Sequence, residues 1–229
     1  MILQRFATTG EAAGSLAAEV TKALQGGLAR RSAASLAVPG GRTPVPLFQA
    51  MRNAELDWSR VSITLTDERW VGTADEASNE ALVRRELLQQ RAAAAQFVPL
   101  QDGSRSAQDA LDCVWQSLKR MPRPFDAVVL GMGDDGHFAS LFPGSPGVSA
   151  ALDPGQKPAC VAMQAPAAPA SRISLNLAAL LQTRRLFLFI TGVHKRDLLL
   201  AAARGAEPAL PVAALLSQRV PLPEVYWAP

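Results

Sequence analysis

Two hydrophobic rhythms alternate along this 229-residue chain. Short, nearly continuous aliphatic runs over residues 35–38, 61–65, 125–130 and 185–190 read as strands covered on both faces. Between them, apolar residues recur at helical spacing, as with Leu16, Val20 and Leu24. The pattern predicts a helix over residues 11–25 ended by Gly26-Gly27, and a helix entered at Pro44 that carries Leu47, Phe48 and Met51. It predicts a further helix over residues 79–90 capped by Ser78, and another from Ser104 or Ser106 to Lys119. Pro122 and Pro124 mark a turn before the strand at 125–130. Residues 143–170 carry six prolines and read as irregular chain with one strand near 159–163, in a position to fold over a site. Residues 172–175 precede a short helix, Gly192 to Asp197 turn into a helix ending near Arg204-Gly205, and a strand over 224–227 closes the sheet. Strand, loop and helix repeating in this way predict a single α/β domain over residues 1–229. Its sheet is mostly parallel and doubly wound, with helices on both faces.

Composition narrows the function classes. Even the apolar run Leu186 to Ile190 is far below the ~20 residues that span a bilayer. The start of the chain lacks the apolar segment of a secretory signal, so a cytoplasmic location is expected. Cys113 and Cys160 stand apart with no metal-ligand spacing around them, which predicts two reduced thiols and no zinc. The formal net charge is only +3. Its arginines are scattered as the pairs Arg30-Arg31, Arg84-Arg85 and Arg184-Arg185, which argues against a nucleic-acid partner and suits an anionic small molecule.

The densest chemistry lies in Leu130-Gly131-Met132-Gly133-Asp134-Asp135-Gly136-His137, where an apolar strand runs into a glycine-rich turn and then a histidine. Ligands of open α/β sheets gather at the carboxyl ends of strands, and an imidazole there accepts a proton near neutral pH. The competing reading is a histidine that only caps a helix. Gly40-Gly41-Arg42-Thr43 opens a helix and offers backbone N–H groups and a hydroxyl to a phosphate, or else is a turn that only reverses the chain. Neither glycine segment fits the P-loop, and no acidic ribose ligand follows the second, so no dinucleotide cofactor is expected. Asp67 and Arg69 end a strand and face the crevice in this reading, with Arg69 suited to an anion and Asp67 to a histidine or a sugar hydroxyl. Arg172 and Lys195 sit at loop edges, either as phosphate partners or as ordinary surface cations. His194 reads as structural. Asp134-Asp135 fits no metal-binding spacing, and no metal is expected.

Taken in order, Gly40-Gly41-Arg42-Thr43-Pro44, Thr66-Asp67-Glu68-Arg69-Trp70-Val71, Ser78-Asn79-Glu80, the run from Leu130 through His137 to Gly144, Arg172-Ile173-Ser174-Leu175 and Gly192-Val193-His194-Lys195 closely resemble the 6-phosphogluconolactonases. Those belong to the glucosamine-6-phosphate isomerase/6-phosphogluconolactonase family. The resemblance spans nearly the whole chain. It implies hydrolysis of 6-phospho-D-glucono-1,5-lactone in the oxidative pentose phosphate pathway, without cofactor or metal. A monomer or weak homo-oligomer is expected. The resemblance also implies His137 as the base, Asp67 and Arg69 beside the lactone, Arg172 and Lys195 as phosphate cations, and residues 40–43 in the same pocket. Pro39 departs from the serine often found before the two glycines, which removes a hydroxyl and an N–H from that loop. The alternatives are a glucosamine-6-phosphate deaminase or isomerase and a non-enzymatic sugar-phosphate sensor. The sensor has no use for His137, and no DNA-binding segment precedes the domain.

Overall fold

Ten strands and eight α-helices alternate through residues 1–229 of a computed structural model of the chain. The first half runs β1 (Ile2–Arg5), α1 (Thr9–Arg31), β2 (Ala34–Val38), α2 (Val45–Met51), β3 (Val61–Leu65), β4 (Asp67–Arg69), α3 (Asn79–Glu86), β5 (Gln96–Val98) and α4 (Ala107–Lys119). The second runs β6 (Ala127–Leu130), α5 (Val148–Ala151), β7 (Cys160–Gln164), β8 (Ser171–Leu175), α6 (Leu177–Leu180), β9 (Leu186–Thr191), α7 (Val193–Ala203), α8 (Pro211–Leu216) and β10 (Glu224–Ala228).

Seven strands form one sheet in the order β1-β10-β9-β6-β2-β3-β5, and every pairing in it is parallel. β2, β3 and β6 are buried at every position, so both of their faces are covered, which is why their sequences are continuous and not alternating. The hydroxyls inside these runs find partners. Ser35 Oγ donates to the Pro122 carbonyl at 2.6 Å and Thr64 Oγ1 to the Val98 carbonyl at 2.8 Å. α1 packs along β2, β6 and β10, and α7 lies on β9. From β2 the chain steps one way, to β3. From β6 it steps the other way, to β9. The loops leaving β2 and β6 therefore diverge and open a crevice at the carboxyl rim of the sheet.

A second sheet, β4-β8-β7, is antiparallel and is absent from the sequence expectation. Residues 67–69, expected as a charged strand-end loop, are its first strand. The segment 143–170 does contain β7 close to the expected strand, yet it does not fold over the crevice. β8 stands between β7 and β4, which puts β7 at the far edge of the small sheet. The two sheets share one continuous core of 56 buried residues, in which Met163, Ile173 and Leu175 represent the smaller one.

Other boundaries also differ. α1 continues through Gly26-Gly27 to Arg31 and stops at Ser32, whose φ of 57° is left-handed and whose N–H reaches the Leu28 carbonyl. Gly27 is there for packing, since a Cβ on it would overlap the Asp126 carboxylate. A glycine inside a helix costs about 1 kcal/mol relative to alanine, and here it permits that approach. α3 ends at Glu86, short of the expected residue 90, because Gln90 takes a φ of 54° and starts a 3-10 turn. Ser78 and Ser106 do cap their helices, accepting from Ala81 N–H and Asp109 N–H. β10 does not close the sheet; β1 pairs outside it.

Candidate active site

At the divergence of β2 and β6 lies a cavity of about 210 Å³. The loop after β2 supplies Pro39, Gly40, Gly41, Arg42, Thr43 and Pro44; β4 supplies Asp67 and Arg69; and the start of α3 supplies Asn79. The loop after β6 contributes Gly131, Met132, Gly133, His137 and Ala139, and the first turn of α7 contributes Lys195. Four adjacent strands, β9, β6, β2 and β3, thus lead into one crevice.

The histidine loop is closed by its own backbone. Gly133 N–H donates to the His137 carbonyl at 2.9 Å, and Gly136 N–H to the Gly133 carbonyl at 3.1 Å. Gly136 has a φ of 76°, a conformation that glycine adopts freely. Gly133 is dictated by space, because a Cβ there would overlap the His137 ring. Asp135 Oδ1 lies 2.5 Å from His137 Nδ1 and accepts the His137 backbone N–H at 3.2 Å. A carboxylate only accepts, so Nδ1 donates in this pair, and Nε2 makes no hydrogen bond to the rest of the chain. Phe142 lies against the ring at a centroid distance of 4.2 Å, and the imidazole side chain stays 27% exposed. From behind, Val212 N–H donates to the Gly136 carbonyl at 3.0 Å, so the start of α8 braces the loop.

β4 turns alternate side chains to opposite sides. Asp67 faces the crevice, its Oδ2 accepting from Ser140 Oγ at 2.6 Å and its Oδ1 from Thr66 Oγ1 at 3.2 Å. Ser140 N–H in turn donates to Ser174 Oγ at 3.2 Å, so this buried serine ties the histidine loop to β4 and β8. Glu68 points the other way, into the start of α3. It accepts from the N–H groups of Arg69, Asn79 and Glu80 and from the Ser78 hydroxyl. Burial pushes its carboxyl above the ordinary glutamate value, against the opposing pull of those backbone bonds. Arg69 lines the cavity while its Nη1 donates to the Ala77 carbonyl.

Arg172, expected as a phosphate cation, does not line the cavity. It is the second residue of β8, opposite Arg69 in the ladder, and is only 8% exposed, with Nε and Nη1 unpartnered. Burial lowers its affinity for a proton, as does Arg69, while Asp67 and Glu68 oppose the shift. The cations that do face the cavity are Arg42, Arg69 and Lys195, the last with Nζ 3.8 Å from Asp134 Oδ1. His194 lies outside the lining. No three His, Cys, Asp or Glu side chains gather as a metal site. Sequence reasoning missed Asp135 as the partner of His137 and Asn79 as a wall of the cavity. For Asp135 the available signal was its place two residues before the histidine in a glycine turn.

The sequence matches the family described as glucosamine-6-phosphate isomerases/6-phosphogluconolactonase over residues 7–227. It is 43% identical over 228 residues to a 6-phosphogluconolactonase of Pseudomonas aeruginosa, covering 99% of this chain and 94% of that protein. A 6-phosphogluconolactonase of Rhizobium meliloti is 39% identical, with 98% and 97% covered. The crystal structure of a 6-phosphogluconolactonase from Shewanella baltica superposes with a TM-score of 0.93 at 40% identity, covering 100% of this chain and 98% of that one. A monomeric glucosamine-6-phosphate deaminase, at 16% identity and a TM-score of 0.79, shares the fold. The chain belongs to the glucosamine-6-phosphate isomerase/6-phosphogluconolactonase family.

Proposed function

We propose that this crevice hydrolyses 6-phospho-D-glucono-1,5-lactone to 6-phosphogluconate, the second step of the oxidative pentose phosphate pathway, with His137 as general base. The observation that carries the reading is a histidine whose Nδ1 faces Asp135 at 2.5 Å and whose Nε2 is left free, set in a cavity with three cations. Identity of 43% to a 6-phosphogluconolactonase supports the substrate. The free thiols Cys113 and Cys160 support a reducing, cytoplasmic setting.

Lys195, Arg42 and the N–H groups of residues 40–43 hold the phosphate, and Arg172 acts from behind by flanking Arg69. Held at that end, the lactone presents its carbonyl carbon near His137. Nε2 takes a proton from water as the water oxygen bonds to that carbon, and the carbonyl becomes an oxyanion beside Arg69. Asp135 stabilises the imidazolium that forms. When the intermediate collapses, the carbon–ring-oxygen bond breaks and the imidazolium returns its proton to the departing ring oxygen. The carboxylic acid product then ionises. A covalent serine intermediate is not needed, and Ser140 is ill placed to form one because its hydroxyl proton is committed to Asp67.

The direct test follows 6-phosphogluconate release through a coupled dehydrogenase, with the unphosphorylated lactone assayed in parallel. Release well above spontaneous hydrolysis, with a clear preference for the phosphorylated lactone, is the expected result. Equal rates with and without protein would reject the activity, and equal rates on both lactones would reject the phosphate clamp.

A further inference from the structure

Two features of the crevice are left unexplained by the chemistry above. Asn79 is only 1% exposed, yet its Oδ1 is buried without a hydrogen-bond partner. Such an acceptor costs about 1 to 3 kcal/mol and calls for an explanation. Gly40 is the second. Its neighbour Gly41 has a φ of 89° and is required by conformation, whereas Gly40 lies outside the left-handed region. Space is what excludes a side chain at 40, since a Cβ there would overlap the Asn79 carboxamide.

The carboxamide is pinned from its other side. Asn79 Nδ2 donates to the Asp67 carbonyl at 2.8 Å, and Asn79 N–H donates to Glu68 Oε1 at 2.7 Å. One short, immobile side chain therefore spans the gap between β4, which carries Asp67 and Arg69, and the loop that carries Arg42 and Thr43. It ends against the bare Cα of Gly40. We infer that Asn79 is a positioning residue: with Gly40 it forms a lock that fixes the distance between the glycine loop and β4, and so the width of the anion cradle. The unpaired Oδ1 is a consequence of that placement, because the amide is oriented by Asp67 and its oxygen meets a carbon. This rests on the phosphate-cradle reading above, and its test is built to fail separately.

The test is a double-mutant cycle on Gly40→Ala and Asn79→Ala, read by affinity for 6-phosphogluconate in calorimetry, by KM against kcat, and by thermal melting. Each single variant is expected to weaken 6-phosphogluconate binding and raise KM about tenfold, with kcat changed much less. The double variant is expected to bind at least as well as Gly40→Ala, because removing the carboxamide makes room for the new methyl. Additive losses, with the double weaker than either single, would overturn the lock. So would an equal fall in kcat without a change in KM. If Gly40→Ala does not fold, a folded double variant supports the lock and an unfolded one contradicts it. Asn79→Asp supplies a conservative arm, since it keeps the clash with Gly40→Ala but loses the donor to Asp67 and should not rescue. If lactone turnover is absent from the wild type while the binding cycle shows rescue, the proposed activity fails and the lock stands.

Discussion

The two rims of the parallel sheet both carry charge, but they treat it in opposite ways. At the amino-terminal rim, Asp126 precedes β6 with its side chain fully buried. It accepts from Ser35 N–H at 2.9 Å, Arg31 Nη2 at 2.6 Å and Arg30 Nη2 at 3.2 Å. Nearby, Arg185 reaches Glu224 at 2.7 Å and Glu19 at 2.5 Å. Charge there closes on itself. At the carboxyl rim, Arg42 and Lys195 line an open cavity, and the nearest carboxylate to Lys195 is 3.8 Å away on a mostly exposed Asp134. What separates a structural cluster from a binding site is whether the partner is built into the chain. The arginine pairs Arg30-Arg31 and Arg184-Arg185 look scattered in the sequence, yet they converge on this lower rim, whereas the isolated Lys195 and Arg42 converge on the crevice.

This contrast is open to direct attack. Asp126→Asn strikes the closed rim, where removing the buried carboxylate leaves Arg31 with only the Pro124 carbonyl. A loss of about 3 kcal/mol is expected, at the low end for such breaks because Arg30 keeps access to water. For a domain of this size it lowers the melting temperature by about 6 to 12 °C. KM for the lactone should not move. A shift in KM comparable to the loss of stability would show that the rims are not independent.

At the open rim the expected effect is on rate. Asp135→Asn replaces the carboxylate with an uncharged amide whose NH2 can donate to Nδ1 and favour the other His137 tautomer, and turnover should fall by about 10²-fold, or about 2.7 kcal/mol, with the melting temperature nearly unchanged. Rate measurements beside a melting curve check this. A large loss of stability with intact turnover would move Asp135 to the structural side of the comparison.

The smallest effect is expected from Glu19→Gln. The hydrogen bond from Arg185 holds the Glu19 carboxyl below its ordinary range, so the folded state binds its proton less readily than the unfolded state. That stability is present above the ordinary glutamate range and is lost as pH falls through the folded value. Since both partners are partly exposed, it amounts to less than about 1 kcal/mol. The variant should melt about 2 °C lower at pH 7 and by a smaller margin at pH 3. An equal drop at both pH values would assign the effect to packing instead of charge.

Much of the carboxyl rim was legible because its signals are local. Glycines at 131, 133 and 136 mark a turn wherever the chain goes, and a run such as residues 61–65 is a buried strand in almost any context. What stayed hidden depends on distant partners. β4 is three charged residues with no strand pattern of its own, and it becomes a strand only because β8 lies beside it. Arg172 looked like a free cation until the ladder placed it opposite Arg69 and buried it. Gly26-Gly27 looked like a helix stop because nothing nearby in the sequence reveals that Asp126 packs against Gly27. The lock between Gly40 and Asn79 was invisible for the same reason.

The central claim is that the free nitrogen of His137 takes the proton from water in this crevice. The most direct measurement is lactone turnover by His137→Asn, with 6-phosphogluconate affinity measured on the same preparation. The account predicts turnover reduced by about 10²-fold or more and affinity nearly intact. Turnover equal to the wild type would remove His137 from the chemistry, and loss of affinity in step with turnover would make it a binding residue.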